Sequence, residues 1–174
     1  MENKNPMRKI KIEKVTVNIG IGSSGDRLDN AKELLKRVTN EKPIETKAKD
    51  RNPVFKLRKG LPIGAKVTLR GKKAKEFLEK ALVARKKTLK ESNFDRTGNV
   101  SFGVPEYIDF PGIKYDPVIG MMGFDVCVSV TRSGKRVRLK RIKQGKIGKT
   151  HLVSKEDCKS FISEEFGIKI IESE

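Results

Sequence analysis

The sequence has no tryptophan, a single histidine (His151), two cysteines and few aromatic residues, only 6% of the chain. Each shortage closes off a class of function. Cys127 and Cys158 are far apart and form no Cys-x-x-Cys pair, so neither a disulfide framework nor a redox motif is available, and both read as reduced packing residues within apolar patterns. Two cysteines and one histidine fall short of the ligands of a structural zinc site; no metal and no cofactor are expected. His151 alone offers no catalytic triad and reads as a tail or surface residue. No apolar run approaches the ~20 residues that a membrane-crossing helix needs, and the opening residues MENKNPM carry no hydrophobic signal segment. No membrane partner is expected, and the predicted location is the cytoplasm. With so few aromatics, the core must be built from Ile, Val, Leu and Ala. A chain of 174 residues is long enough to bury one as a single domain without disulfides.

What the sequence does have is positive charge. Forty Lys and Arg against twenty-two Asp and Glu give +18 and a pI near 10. Such a field repels itself in the folded state, and a polyanion relieves that cost. The charge is not spread evenly. Residues 42–90 hold seventeen cations and four anions, net +13, and residues 131–150 hold nine cations and no anion. Residues 91–130 and 151–174 are net negative, −4 and −3. Two segments thus supply more than the whole excess, as a directed binding surface requires and a uniformly solvated one does not.

Hydrophobic periodicity predicts an α+β fold. Val15, Val17, Ile19 and Ile21 alternate with Thr16, Asn18 and Gly20, giving a strand over 12–21 with one buried face. A helix over 26–39 carries the stripe Leu28, Ala31, Leu34, Leu35 and Val38. A short strand over 44–48 follows Pro43, and residues 49–53 read as a loop. Phe55-Lys56-Leu57-Arg58 alternates again, and Ile63, Ala65, Val67 and Leu69 mark the clearest amphipathic strand. A helix is predicted over 72–87, a strand over 100–104 in a Gly- and Pro-rich region, and a strand from Phe124 to Val130 that residues 135–141 extend or pair with. Ser154-x-x-Asp157 resembles a capping box, Cys158, Phe161, Ile162 and Phe166 form the last helical stripe, Gly167 stops it, and 168–171 is strand-like. Alternating strands and striped helices predict an antiparallel sheet with helices packed on one face. Its other face is polar, with Thr16, Asn18, Lys66, Thr68, Arg70, Lys56 and Arg58. Cations among small hydrogen-bonding groups suit RNA, whose phosphates and 2′-hydroxyls such groups read.

Gly20-Ile21-Gly22-Ser23-Ser24-Gly25 matches the dinucleotide pattern G-x-G-x-x-G, with Glu45 about twenty residues on. It is set aside. A parallel strand buried on both faces would not carry Lys14, Thr16 and Asn18, the chain lacks the further βα units, and nicotinamide binding gives no reason for +18. The glycines read instead as a tight turn. Asp109, Asp116 and Asp125 have no base or nucleophile partner and read as turn and cap residues. No enzyme is expected. A DNA-binding architectural protein would also be basic, but neither a recognition helix nor an arm with apolar wedges is evident.

Several segments together resemble one family: Val17-Asn18-Ile19-Gly20-Ile21-Gly22, Lys42-Pro43-Ile44-Glu45-Thr46-Lys47-Ala48-Lys49, Phe55-Lys56-Leu57-Arg58, the run Pro62 to Gly71, Gly98-Asn99-Val100-Ser101-Phe102-Gly103 and Asp109-Phe110-Pro111-Gly112-Ile113. In order and spacing, over about residues 10–130, they are similar to the 5S-rRNA-binding ribosomal protein of the large subunit, number five in its series. The remainder, a basic segment with a C-terminal helix and short strand over 131–174, resembles the archaeal and eukaryotic branch. The resemblance implies a structural constituent of the ribosome that attaches 5S rRNA to the large-subunit rRNA in the central protuberance, beside a neighbouring 5S-binding protein. It also implies that a mobile loop near 49–53 reaches the P-site tRNA. It carries 5S contact to Asn18, Phe55 and Thr68, with Lys47, Lys56, Arg58, Lys66 and Arg70 as phosphate partners, and tRNA contact to Lys49, Asp50, Arg51 and Asn52. Arg132, Lys135, Arg136, Arg138, Lys140 and Arg141 in the second basic block are expected as additional rRNA contacts. One departure stands out: where the family often has Gly-Gln before Lys-Pro, this chain has Asn40-Glu41.

The implied mechanism is positioning. Lys and Arg release counterions from phosphates, Asn18 and Thr68 fix register through hydrogen bonds, and Phe55 either packs on a sugar or base or belongs to the core.

Overall fold

The computed structural model describes residues 5–171; the first four residues of the MENKNPM segment and the last three of the chain lie outside them. Strand β1 (Ile10–Gly20) is central. It pairs antiparallel with β3 (Pro62–Leu69) on one side and β6 (Phe124–Arg132) on the other, and β2 (Ile44–Lys47) and β5 (Asn99–Val104) complete a sheet of order β2-β3-β1-β6-β5. Helices α1 (Asp26–Thr39), α2 (Lys72–Ala84) and α4 (Lys155–Phe166) and one helical turn, α3 (Arg136–Leu139), join these strands. A separate parallel pair links β4 (Thr88–Lys90) to β7 (Lys169–Ile171).

Period-two burial runs as expected. Val15, Val17 and Ile19 of β1 and Ala65, Val67 and Leu69 of β3 are buried under the stripes of α1 and α2, in one cluster that also takes Cys158, Ile162 and Phe166 of α4. Phe110 ties α2 to the sheet, stacking on Phe77 at 5.3 Å and meeting Phe124 edge-on at 6.0 Å. Because β1 is antiparallel to both neighbours, the glycine-rich turn after it is not part of a parallel dinucleotide-binding unit. Among the described residues no helix is long and apolar enough to cross a membrane.

The helix ends follow local chemistry. Asn40 closes α1 in the left-handed conformation (φ 53°), which asparagine tolerates better than most residues. At α4 the capping box is complete: the Ser154 hydroxyl accepts from the Asp157 amide at 3.1 Å, and the Asp157 carboxylate accepts from the Ser154 amide at 3.2 Å. Gly167 ends that helix left-handed.

Four expectations are corrected. Helix α2 stops at Ala84 rather than at 87, because Lys86 and Lys87 both turn left-handed (φ 53°). Residues 55–58 are not a strand but part of a tight turn, described below. Residues 135–141 neither extend β6 nor pair with it. Gly134 (φ 95°) turns the chain away, and α3 follows with Val137 and Leu139 exposed. Cys127 is not a packing residue: it lies on an outward position of β6 and is exposed, whereas Cys158 is fully buried.

Candidate nucleic-acid interface

Strand register assembles the open face of the sheet. Asn18 stands opposite Lys66 on β3 and Asp125 on β6, and Ile44 of β2 lies beyond Lys66. In the next row Thr16 stands between Thr68 and Cys127, with Ser101 of β5 beyond. Lys66, Thr68 and Arg70 are exposed; Thr16 and Asn18 are half-buried. Alternation sends Glu45 to the opposite side, where Lys32 of α1 bonds its carboxylate at 2.8 Å. The face divides electrostatically. Its β2–β3 half carries Lys66 and Arg70 with no acid, while its β6 half carries Asp125. The reading of Asp125 as a turn residue is thus wrong, since it occupies an exposed strand position in the same row as Asn18.

Close pairing of β3 with β1 depends on Gly64. A Cβ there would stand 2.5 Å from the Ile19 carbonyl oxygen and 2.9 Å from the Thr46 hydroxyl. Glycine at this one place sets the distance between the strands that present Asn18, Lys66 and Thr68.

Between β2 and β3 the chain leaves the sheet as a long hairpin. Its stem is closed by the Ala48 amide on the Leu61 carbonyl (2.8 Å) and the Gly60 amide on the Ala48 carbonyl (3.0 Å). Asn52 and Leu57 exchange two backbone hydrogen bonds at the tip, 3.0 and 2.9 Å. The Asn52 side chain accepts from the amides of Val54 and Phe55, at 3.0 and 3.4 Å, and Lys56 turns left-handed. This Asx-type turn is why 55–58 cannot alternate as a strand. It projects Val54 (84% exposed) and Phe55 (69%) into solvent, which removes the core option for Phe55. The residues expected to meet 5S rRNA (Phe55, Lys56, Arg58) and those expected to meet tRNA (Lys49, Asp50, Arg51, Asn52) therefore share one hairpin. Among the described residues, none of Lys47, Lys49, Arg51, Lys56, Arg58, Lys66 and Arg70 makes a salt bridge.

The second basic block is different. Arg132 donates to Asp157 at 2.8 Å and to the Thr150 carbonyl at 3.2 Å, with its side chain only 13% exposed, and Lys135 pairs with Glu13. These two cations, expected as rRNA contacts, hold the block against β1 and α4 within the fold. Arg136, Arg138, Lys140 and Arg141 remain exposed.

Other ion pairs lie on the helices. Glu41 binds Lys73, raising the lysine's pKa above its ordinary value, so this acid is matched within the fold. Arg37 holds Asp116 at 2.6 Å and lowers its pKa, and the same carboxylate accepts from the Val118 amide at 2.9 Å, as a cap residue should. Lys159 and Lys155 of α4 both bind Glu91, at 2.7 and 2.9 Å, and hold its carboxyl at about 2. One residue not singled out from the sequence belongs beside the open face. Arg85, at the end of α2, lines a concavity with Asn18, Gly103 and Asp125, and its Nε is buried without a partner. Only its place next to a helix stop would have marked it.

Residues 5–58 match the family model described as ribosomal protein L5, and residues 62–164 match that for the C-terminus of the ribosomal L5 family. A large ribosomal subunit protein uL5 from Methanococcus vannielii is 50% identical over 171 residues, covering 97% of this chain and 94% of the relative. Its counterpart in Methanococcus aeolicus is 49% identical over 170 residues (96% and 94%), and that in Sulfurisphaera tokodaii is 51% identical over 169 residues (97% and 96%).

Proposed function

This chain belongs to the L5 family of large-subunit ribosomal proteins, structural constituents of the cytoplasmic ribosome and not known as enzymes, and from that premise we propose that it anchors 5S rRNA to the large-subunit rRNA. In this reading the β2–β3 half of the open face and the flank of the hairpin bind 5S rRNA. Asn18 and Thr68 set register, while Lys47, Lys56, Arg58, Lys66 and Arg70 neutralise phosphates. Phe55, exposed on the hairpin, packs on a sugar or base of 5S rRNA, the loop Lys49 to Asn52 reaches the P-site tRNA, and Arg136, Arg138, Lys140 and Arg141 contact the large rRNA. A neighbouring 5S-binding protein completes the assembly.

The observation that carries this reading is the segregation of charge. Carboxylates pair with lysines and arginines on the helices and at the ends of β1 and β6, while the cations of the hairpin and the β3 surface have no acidic partner among the described residues. Unpaired cations around a half-buried amide and an exposed hydroxyl fit a phosphate backbone with fixed hydrogen-bond register. The test is binding of the purified chain to 5S rRNA beside equal masses of tRNA and duplex DNA. Clear preference for 5S rRNA at 200 mM salt, weakened by Asn18→Ala and by Thr68→Ala, is expected. Equal binding of all three, falling together with salt, would leave the charge but remove the 5S role.

A further inference from the structure

A second recess lies away from the open face, where the basic block folds back beside the end of β6. It has a volume of about 370 Å³, at the lower end of the roughly 300–1,000 Å³ of small-molecule sites. Val130, Ile147, Leu152 and Val153 supply its apolar lining, and no carboxylate lines it. Arg96 and Arg138 stand at its rim, both exposed and without an acidic partner among the described residues.

The walls are fixed from several directions. Arg132 ties β6 to Asp157 and to the Thr150 carbonyl, and Lys135 ties the start of the block to Glu13. His151 Nε2 lies 2.8 Å from the Ser133 carbonyl oxygen. That oxygen can only accept, so a neutral ring carries its proton on Nε2 and keeps Nδ1 as an acceptor. Thr97 and Asn99 add a hydroxyl and an amide to the lining. Arg132 lines the recess with its terminal nitrogens held by the Thr150 carbonyl and the Asp157 carboxylate.

We propose that this recess is a binding site for a single unstacked ribonucleotide, with the base against Val130, Ile147 and Leu152 and the 5′-phosphate between Arg96 and Arg138. An apolar lining alone would suit any small hydrophobe, and a cationic rim alone any anion. The two together select a planar, partly apolar group attached to a phosphate. The enclosed shape admits one nucleotide and excludes a stacked helix. Its source is either a residue extruded from rRNA, which rests on the function proposed above, or a free nucleotide, which does not.

The experiment titrates the full chain with the four ribonucleoside 5′-monophosphates, the matching nucleosides and inorganic phosphate at 150 mM salt, by NMR and calorimetry. The expected result is that at least one monophosphate binds more tightly than its nucleoside and than phosphate. Arg138→Gln should weaken it about tenfold, as loss of a charge-assisted hydrogen bond does, while the charge-matched Lys169→Gln changes nothing. Leu152→Trp, at a 46% exposed position, fills the recess and should abolish binding while the melting transition is kept. Inorganic phosphate binding as well as every monophosphate, or Lys169→Gln weakening binding as much as Arg138→Gln, would overturn the site. So would absence of any monophosphate binding. Competition separates the sources. A monophosphate that displaces an rRNA fragment occupies the place of an extruded residue, and one that binds without displacing it is a free ligand. If 5S rRNA fails to bind while the monophosphate still does, the function proposed above falls and the recess remains.

Discussion

Replacing Lys47, Lys66 and Arg70 together by glutamine removes three cations that have no acidic partner among the described residues, so the fold should survive and only the surface charge should change. The size of the effect follows from counting. Lys47, Lys56, Arg58, Lys66 and Arg70 form the phosphate-binding set proposed for 5S rRNA on the hairpin and β3. At roughly 0.7–0.9 counterions released per phosphate, five contacts give a slope of about −3.5 to −4.5 in log K against log salt. Raising salt from 50 to 200 mM then costs this surface roughly 100- to 500-fold in affinity, and with two contacts left the slope falls to about −1.4 to −1.8 and the cost to about tenfold. At 150 mM the triple variant should bind 5S rRNA roughly 50- to 150-fold more weakly. Filter binding or fluorescence anisotropy over a salt series reads both quantities, with Lys80, Lys90 and Lys169 replaced together as the charge-matched control on α2, β4 and β7. An unchanged slope in the first triple, or an equal loss in the control, would show that the sheet face and hairpin are not where the RNA lies.

Three further outcomes follow from the geometry. Gly64→Ala should cost about 1–3 kcal/mol in urea denaturation, because the added methyl meets backbone at the Ile19 carbonyl rather than a movable side chain; a loss below 0.5 kcal/mol would mean the strands part without penalty. Glu91, held at about 2 first by Lys159 and then by Lys155, has a folded pKa below its ordinary value. Its contribution is therefore present above pH ~4.5 and lost as pH falls toward 2. The melting temperature of Glu91→Gln should lie below that of the wild type at pH 6 and converge with it near pH 2; a constant gap would refute the pairing. Cys127, exposed on the open face, should react with a maleimide at pH 7.5 well before Cys158, whose thiol burial pushes up to about 11. Modification of Cys158 first would contradict the burial of α4.

Most of the sheet and its cover was legible in the sequence because each long element repeats its pattern several times. Three alternations in β1, four in β3 and five apolar positions in α1 leave no other period available. What could not be read rests on single residues or on distant partners. Strand β4 has one buried side chain, Leu89, and exists only because β7, some eighty residues later, lies beside it; three residues carry no period. The left-handed turns at Lys86 and Lys87 that end α2 have no glycine to announce them. Phe55-Lys56-Leu57-Arg58 alternates in letters, but the Asn52 carboxamide captures two amides and bends the segment first. At the site, residue types in the cationic set were legible, but pairing was not. Nothing local distinguishes Arg132, clamped by Asp157, from Arg138, which has no such partner among the described residues.

Those clamps bear on how a chain with a charge of +18 folds before RNA arrives. Self-repulsion is least harmful where opposite charges are interleaved, and the acids are placed accordingly. Glu41 lies against Lys73, Glu45 against Lys32, Glu91 against two lysines of α4, Glu165 against Lys75, and Asp157 against Arg132. All but Glu45–Lys32, which links the neighbouring α1 and β2, join elements well apart in sequence, so charge is neutralised where the core must close. Among the cations left over, those of the hairpin and of the outward positions of β3 point away from that core, so their repulsion falls outside it. Asp125 marks the limit of this arrangement. It stands in the same row as Asn18, on the side away from Lys66, and a phosphate backbone crossing the face would be repelled there and attracted one strand over. In the proposed binding mode the RNA path that satisfies both runs along β3 toward the hairpin rather than across the sheet toward β5, which would put Asn18 of β1 at the edge of the footprint and not at its centre.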